Sequence, residues 1–145
     1  MLDTWIVVAD SSMARFYLAT DKHQPLVEFD NLLHMEGRLR EHDELSDRQG
    51  SIAGGHHNFS DPTDLKHHEA EVFARQICAQ LETGRVNHHF QQLILVAPPA
   101  FLGTLRQTLN PHLSKMVSNS LSKNLLNADP SELSKQLFQP VSMEA

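Results

Sequence analysis

The sequence predicts a mixed α/β domain, and three observations carry that reading. Three strand patterns follow one another near the N-terminus, separated only by turn-sized gaps. A long amphipathic helix pattern then leads into an uninterrupted apolar strand at 92–97, a crossover that fits parallel pairing. Between these halves lies a polar stretch, residues 36–61, whose apolar members Leu39, Leu45, Ile52, Ala53 and Phe59 follow neither a helical nor a strand period. Unpatterned loops of more than about 12–15 residues are uncommon in compact domains and are usually functional or disordered.

The first strand, W-I-V-V-A at 5–9, is a continuous apolar run, as expected of a strand covered on both faces. Asp10-Ser11-Ser12 supplies turn chemistry. The second strand, 14–20, alternates, with Ala14, Phe16 and Leu18 on one face and Arg15 and Tyr17 on the other. A turn at 21–25 leads to the third, 26–34, with Val27, Phe29 and Leu33 expected on one side and Glu28 and Asp30 on the other. Connections this short imply an antiparallel meander.

After the polar stretch, Asp61 is placed to cap a helix that Pro62 opens and whose positive end Asp64 suits. Ala70, Phe73, Ala74, Ile77, Cys78 and Leu81 form one apolar stripe along it, and Gly84 is the expected C-cap. Strand 92–97 should be central and parallel to the first. Pro98-Pro99 opens a helix with an inward stripe of Phe101, Leu102, Leu105 and Leu109, broken at Asn110-Pro111. An edge strand is expected over 116–123, and Asp129-Pro130-Ser131-Glu132 caps a last helix running to about Phe138. This order of elements is that of a ribonuclease-H-like mixed five-stranded sheet with flanking helices.

Composition narrows the classes of function. A chain of 145 residues, 40% apolar and 21% charged, suits one globular domain spanning 1–145. A formal charge of −6 argues against a broad, sequence-independent grip on nucleic acid, which needs basic surface to neutralise phosphates. The single cysteine, Cys78, has no partner for an internal disulfide. The N-terminus lacks the basic n-region of a signal peptide, and no run approaches the roughly 20 apolar residues of a membrane helix. A cytoplasmic location with no membrane partner is the expectation.

Four chemistries are open to these residues. A two-metal nuclease centre would draw on Asp10 at the end of the first strand and on Glu69 or Glu71 of the long helix; the bland reading makes Asp10 a turn residue and the glutamates solvated. Of ten histidines, six form doublets at 56–57, 67–68 and 88–89. His67 and Glu71 are one helical turn apart and with His56 or His57 would make three ligands, although no H-E-x-x-H or paired C-x-x-C pattern exists, and adjacent histidines on a helix diverge by about 100°. Cys78 falls on the apolar helix face, where thiols are inert, and no G-x-S-x-G elbow is present. In the polar stretch, Gly54-Gly55 allows close backbone approach, and Arg38, Arg40 and Arg48 suit phosphate or carboxylate. Glu36, Glu41, Asp43, Glu44 and Asp47 offset that charge locally.

W-I-V-V-A-D-S-S-M-A-R at 5–15, L-S-D-R-Q-G at 45–50, D-P-T-D-L-K-H-H-E-A-E-V-F-A at 61–74 and L-I-L-V-A-P-P-A-F-L-G at 93–103 together resemble the bacterial host attachment protein family, over nearly the whole chain. That family is similar to the middle domain of archaeal and eukaryotic class-1 peptide release factors, whose core is ribonuclease-H-like and whose Gly-Gly-Gln loop precedes the long helix. Gly54-Gly55 stands in a comparable place here, but His56 stands where the glutamine would be, and the flanking basic tract is missing. The resemblance thus implies a fold and a loop position, with a ribosome- or RNA-related partner, more than peptidyl-tRNA hydrolysis. By its name the family also implies host-cell attachment machinery, whether reached directly or indirectly.

The expectation is therefore a non-catalytic binding module that takes no cofactor and no metal. Its expected contact residues are Asp10, Arg15, Asp47, Arg48, Gly54, Gly55, His56, His68 and Glu69. The alternatives are a metal-dependent hydrolase built on the Asp, Glu and His side chains, and a host-cell attachment factor.

Overall fold

The computed structural model describes residues 3–21, 24–34 and 62–138, the side chains of 62–64 excepted. Strands β1 (Thr4–Ala9), β2 (Met13–Ala19) and β3 (Val27–Leu33) are followed by helix α1 (Pro62–Val86), β4 (Gln92–Val96), α2 (Pro99–Thr108) and α3 (Pro111–Met116), then β5 (Val117–Leu121) and α4 (Pro130–Phe138). The strands form one mixed sheet in the order β3-β2-β1-β4-β5. β1 pairs antiparallel with β2 and parallel with β4, so the crossover through α1 has the expected sense. All six residues of β1 are buried, as its unbroken apolar run predicts for a central strand.

Side-chain alternation divides the core into two layers. Trp5, Val7, Phe16, Leu93 and Leu95 face α1 and α2, packing on Phe73, Ile77, Leu81, Phe101 and Leu105. Ile6, Val8, Tyr17, Ile94 and Val96 face the opposite way and pack on Leu126 and on Leu133 of α4. The stripes expected on the two main helices are the buried ones, with Ala70 only partly so. Each fully buried large apolar side chain contributes about 1.5–3 kcal/mol.

Local signals explain most boundaries. Asn110 does more than break a helix. Its Oδ1 accepts from the Leu113 N–H at 2.7 Å and so caps α3, with Pro111 at the first helical position. Asp129 caps α4 by accepting from the Glu132 N–H at 2.8 Å. Pro62 begins α1 as expected, while its expected cap, Asp61, lies outside the described residues.

Two expectations need correction. In β3 the register with β2 shifts between Phe16 and Tyr17: Glu28 pairs with Tyr17 and Asp30 with Phe16, leaving Phe29 as the extra residue of a bulge. An inserted residue reverses the alternation beyond it. Asp30 and Leu32 therefore join Val27 and Phe29 on the α1 face, and Leu33 moves to the other. Val27, Phe29 and Leu33 are all exposed, at 57%, 41% and 44%.

Gly84, expected as a C-cap, lies inside α1. The helix ends instead at His88, whose φ is 58°. The His89 N–H bonds to the Gly84 carbonyl at 2.9 Å and the His88 N–H to the Arg85 carbonyl at 3.0 Å, the paired bonds of a Schellman ending. Gly84 is needed for packing. A Cβ there would lie 2.4 Å from the Trp5 ring and 3.1 Å from Phe90.

Candidate functional site

The turn between β1 and β2 anchors the site. Asp10 Oδ1 accepts from the Ser12 N–H at 2.8 Å, the Met13 N–H at 2.9 Å and the Ser12 hydroxyl at 3.1 Å. This is local Asx chemistry, and it fixes the carboxylate at the carboxyl end of the central strand. The Ser12 carbonyl in turn accepts from the His34 N–H at 3.0 Å, which ties the end of β3 to the same turn.

His34 then links turn and helix. Its ring is 2% exposed, stacks on Phe73 with centroids 5.2 Å apart, and donates from Nε2 to Glu69 Oε1 at 2.8 Å. A buried polar ring needs such a partner, because an unpaired buried polar group costs about 1–3 kcal/mol. Asp10 and Glu69, expected together from the sequence, do belong to one bonded neighbourhood, with His34 as the intermediary. Little in the sequence points to His34. Its partner is 35 positions away, and only a lone histidine ending an apolar strand marks it.

Beside this network a cleft of about 410 Å³ opens between α1 and α2, lined by Asp10, Ser11, Lys66, His67, Ala70 and Phe101 among others. Pro98, at the cap of α2, offers no side-chain cap bond, and Pro99 follows it. The Ala100 and Phe101 amides at the positive end of that helix therefore receive no bond from the capping side chain. With Lys66 on the α1 wall and Asp10 at the end of β1, the lining combines apolar surface with both signs of charge. Such a lining suits binding of a small polar group against an apolar floor.

Other expected residues are placed differently. His67 lines the cleft and pairs with Glu71, one turn on along α1, at 3.1 Å, both side chains being exposed. His68 is exposed on the same helix. Arg15 projects from the opposite face of the sheet, where Nε lies 3.9 Å from Glu28, and it does not join Asp10 and Glu69. Cys78 is buried and its thiol is pushed up to about 11 by burial, so it stays protonated at neutral pH. Among the described residues no group of three His, Cys, Asp or Glu could hold a metal ion. Asp47, Arg48, Gly54, Gly55, His56 and His57 lie outside the described residues.

No helix among the described residues is long and apolar enough to cross a membrane. Residues 5–137 match the family described as "Protein required for attachment to host cells". An uncharacterised protein of Rickettsia prowazekii (strain Madrid E) is 30% identical over 82 residues, 55% of this chain and 55% of that relative. The chain thus spans about half the length of the curated relative it matches.

Proposed function

Since the chain belongs to the family of proteins required for attachment to host cells, we propose that it is a single binding domain serving as an attachment factor. Its contact surface would be the cleft at the carboxyl ends of β1 and β4, together with the polar stretch 36–61. The observation that carries a binding role is how fully the site's titratable groups are engaged by their neighbours. Asp10 is held by its own turn, Glu69 by His34, and His67 by Glu71. Groups fixed in this way present a shaped polar surface, and among the described residues none belongs to a group of three that could hold a metal ion. Asp47, Arg48, Gly54, Gly55, His56 and His68 belong to the proposed surface.

The test is adherence of the parent cells, lacking this chain, to host-cell monolayers after complementation. Wild type should restore adherence, and a Thr104→Arg chain, which fills the cleft from its wall, should not. Full restoration by a folded Thr104→Arg chain would sink the proposal. Fractionation of the same cells separates direct from indirect action: direct attachment requires the protein at the cell surface or in the medium, whereas a cytoplasmic pool points to an indirect role.

A second reading rests on the strand order β3-β2-β1-β4-β5 with β1 parallel to β4. That order supports the ribonuclease-H-like name and, through the release-factor resemblance, a ribosome or RNA partner. Co-sedimentation with ribosomes at low and moderate salt tests it. Wild type should pellet with them and Arg48→Ala should do so less. No ribosome-bound fraction at either salt removes this reading.

A further inference from the structure

An aromatic groove of about 640 Å³ lies between β3 and the C-terminal half of α1, lined by Trp5, Phe29 and Gly84 among others. Its carboxylate, Asp30, is already engaged by Gln80 Nε2 at 2.6 Å. The cleft of about 410 Å³ between α1 and α2 differs in this respect. Lys66 and Asp10, opposite in charge, both line it, and among the described residues no ion pair joins the two. The three bonds that Asp10 accepts within its turn all fall on Oδ1, so Oδ2 takes none of them.

The rest of the lining is divided as well. Ala100 stands in the first turn of α2, where amides have no partner within the helix and the dipole favours negative charge. Ala70, Pro98 and Phe101 supply apolar wall, and Phe101 is held in place by the core. Charge then selects the occupant. A simple anion would meet Lys66 and the α2 amides but would also face the Asp10 carboxylate, and a simple amine would face Lys66. A ligand with both charges on one carbon can pair each with its opposite. The volume is at the small end of the range for small-molecule sites, which suits a single amino acid.

We propose that this cleft binds a free α-amino acid with an aliphatic side chain. Its ammonium donates to Asp10 Oδ2, its carboxylate accepts from Lys66 and the first amides of α2, and its side chain lies against Ala70 and Phe101. The inference rests on the cleft being the binding surface of the proposed function, and it names the small molecule that the surface takes.

The probe is L-leucine, titrated into the full chain near neutral pH and followed by amide shifts in proton–nitrogen correlation spectra. The expected result is saturable shifts at Ser11, Ala100 and Phe101. Isocaproate lacks the ammonium, isopentylamine lacks the carboxylate and glycine lacks the side chain, so each should bind about tenfold more weakly. Asp10→Asn keeps an Oδ1 acceptor for the turn and removes the charge. It should weaken leucine about tenfold and leave isocaproate no weaker. Lys66→Gln should weaken leucine and isocaproate but not isopentylamine, a crossover that a merely structural role for these residues would not produce. The proposal is overturned by the absence of saturable shifts with leucine, by any of the three analogues binding as tightly as leucine, or by either variant keeping wild-type affinity for it. If leucine fails to bind while Thr104→Arg still abolishes adherence, only this ligand is lost and the cleft keeps its attachment role. If leucine binds while a Thr104→Arg chain restores adherence in full, the ligand stands and the attachment role falls.

Discussion

The two ends of α1 are fastened to the sheet by different physics. Near its N-terminal end the tie is polar and directional: Glu69 bonds His34, and His34 is bonded through its backbone to the β1–β2 turn. At its C-terminal end the tie is one of shape, with Trp5 stacked on Phe90 and pressed onto Gly84, and with a Schellman ending that puts His88 in the left-handed region. A polar tie tolerates a neighbour that keeps the hydrogen bond, whereas a close-packed contact tolerates almost no added atom. The cleft with mixed charge lies at the polar end and the aromatic groove at the packed end, so each surface inherits the chemistry of its fastening.

The largest effect should come from Gly84→Ala. Helix propensity alone would favour alanine by about 1 kcal/mol, but the Cβ would lie 2.4 Å from the Trp5 ring. Overpacking against a rigid buried ring should win, for a net loss of about 2–3 kcal/mol in denaturant unfolding and a shifted Trp5 emission. An unchanged midpoint would show that the packed end is softer than its geometry says.

Next is Glu69→Ala, expected to cost about 2 kcal/mol because it strips the buried His34 ring of its acceptor. Glu69→Gln keeps an acceptor and should recover about half of that loss. If Gln is no better than Ala, charge dominates the polar tie, and its directional character is secondary.

A pH effect sharpens the contrast toward the packed end. The Arg85 guanidinium and then the Asn110 amide hold the Glu82 carboxyl down from its ordinary 4.5 to about 2. A group whose folded pKa is lowered contributes in full above its unfolded value, and that contribution is lost as pH falls through the folded one. Stability should therefore drop between pH 4.5 and 2, and the drop should be shallower in Glu82→Gln. Parallel curves for the two proteins would remove Glu82 from the acid response.

The smallest effect is a gain. His88→Gly relieves a left-handed residue without touching the core and should stabilise by about 0.5–1 kcal/mol, read as a higher midpoint. No gain would mean that the loss of chain entropy offsets the relieved strain.

Much of the frame was legible because it is written in local periods. Trp5–Ala9 reads as a doubly covered strand, and Ala70 through Leu81 as one helix stripe, from spacing alone. The parallel pairing of β1 with β4 followed from the helix between them. What escaped were facts set across the chain. The bulge at Phe29 depends on register with β2, and it sends Leu33 to the face opposite the one its spacing predicted. Gly84 looked like a terminator because glycine usually is one, but a ring 79 positions earlier decides its role. His34 and Glu69 carry no shared motif. Of the proposed contact residues, Asp10 and Glu69 meet through His34, whereas Arg15 stands across the sheet.

The β1–β4 pairing has a consequence for how the chain assembles. Asp3 and Gln91 meet across 88 positions, so the central seam of the sheet closes a very long loop, while the β1–β2–β3 meander closes only short ones. The meander should therefore form early, and zipping of β4 onto β1 should govern the folding rate. The 26 residues of the polar stretch 36–61 lie inside the long loop. Because closure entropy grows only with the logarithm of length, deleting all of them would change that cost by about 0.3 kcal/mol. Closure of the sheet is thus almost insensitive to the length of that stretch, and insertions or deletions there carry little closure cost.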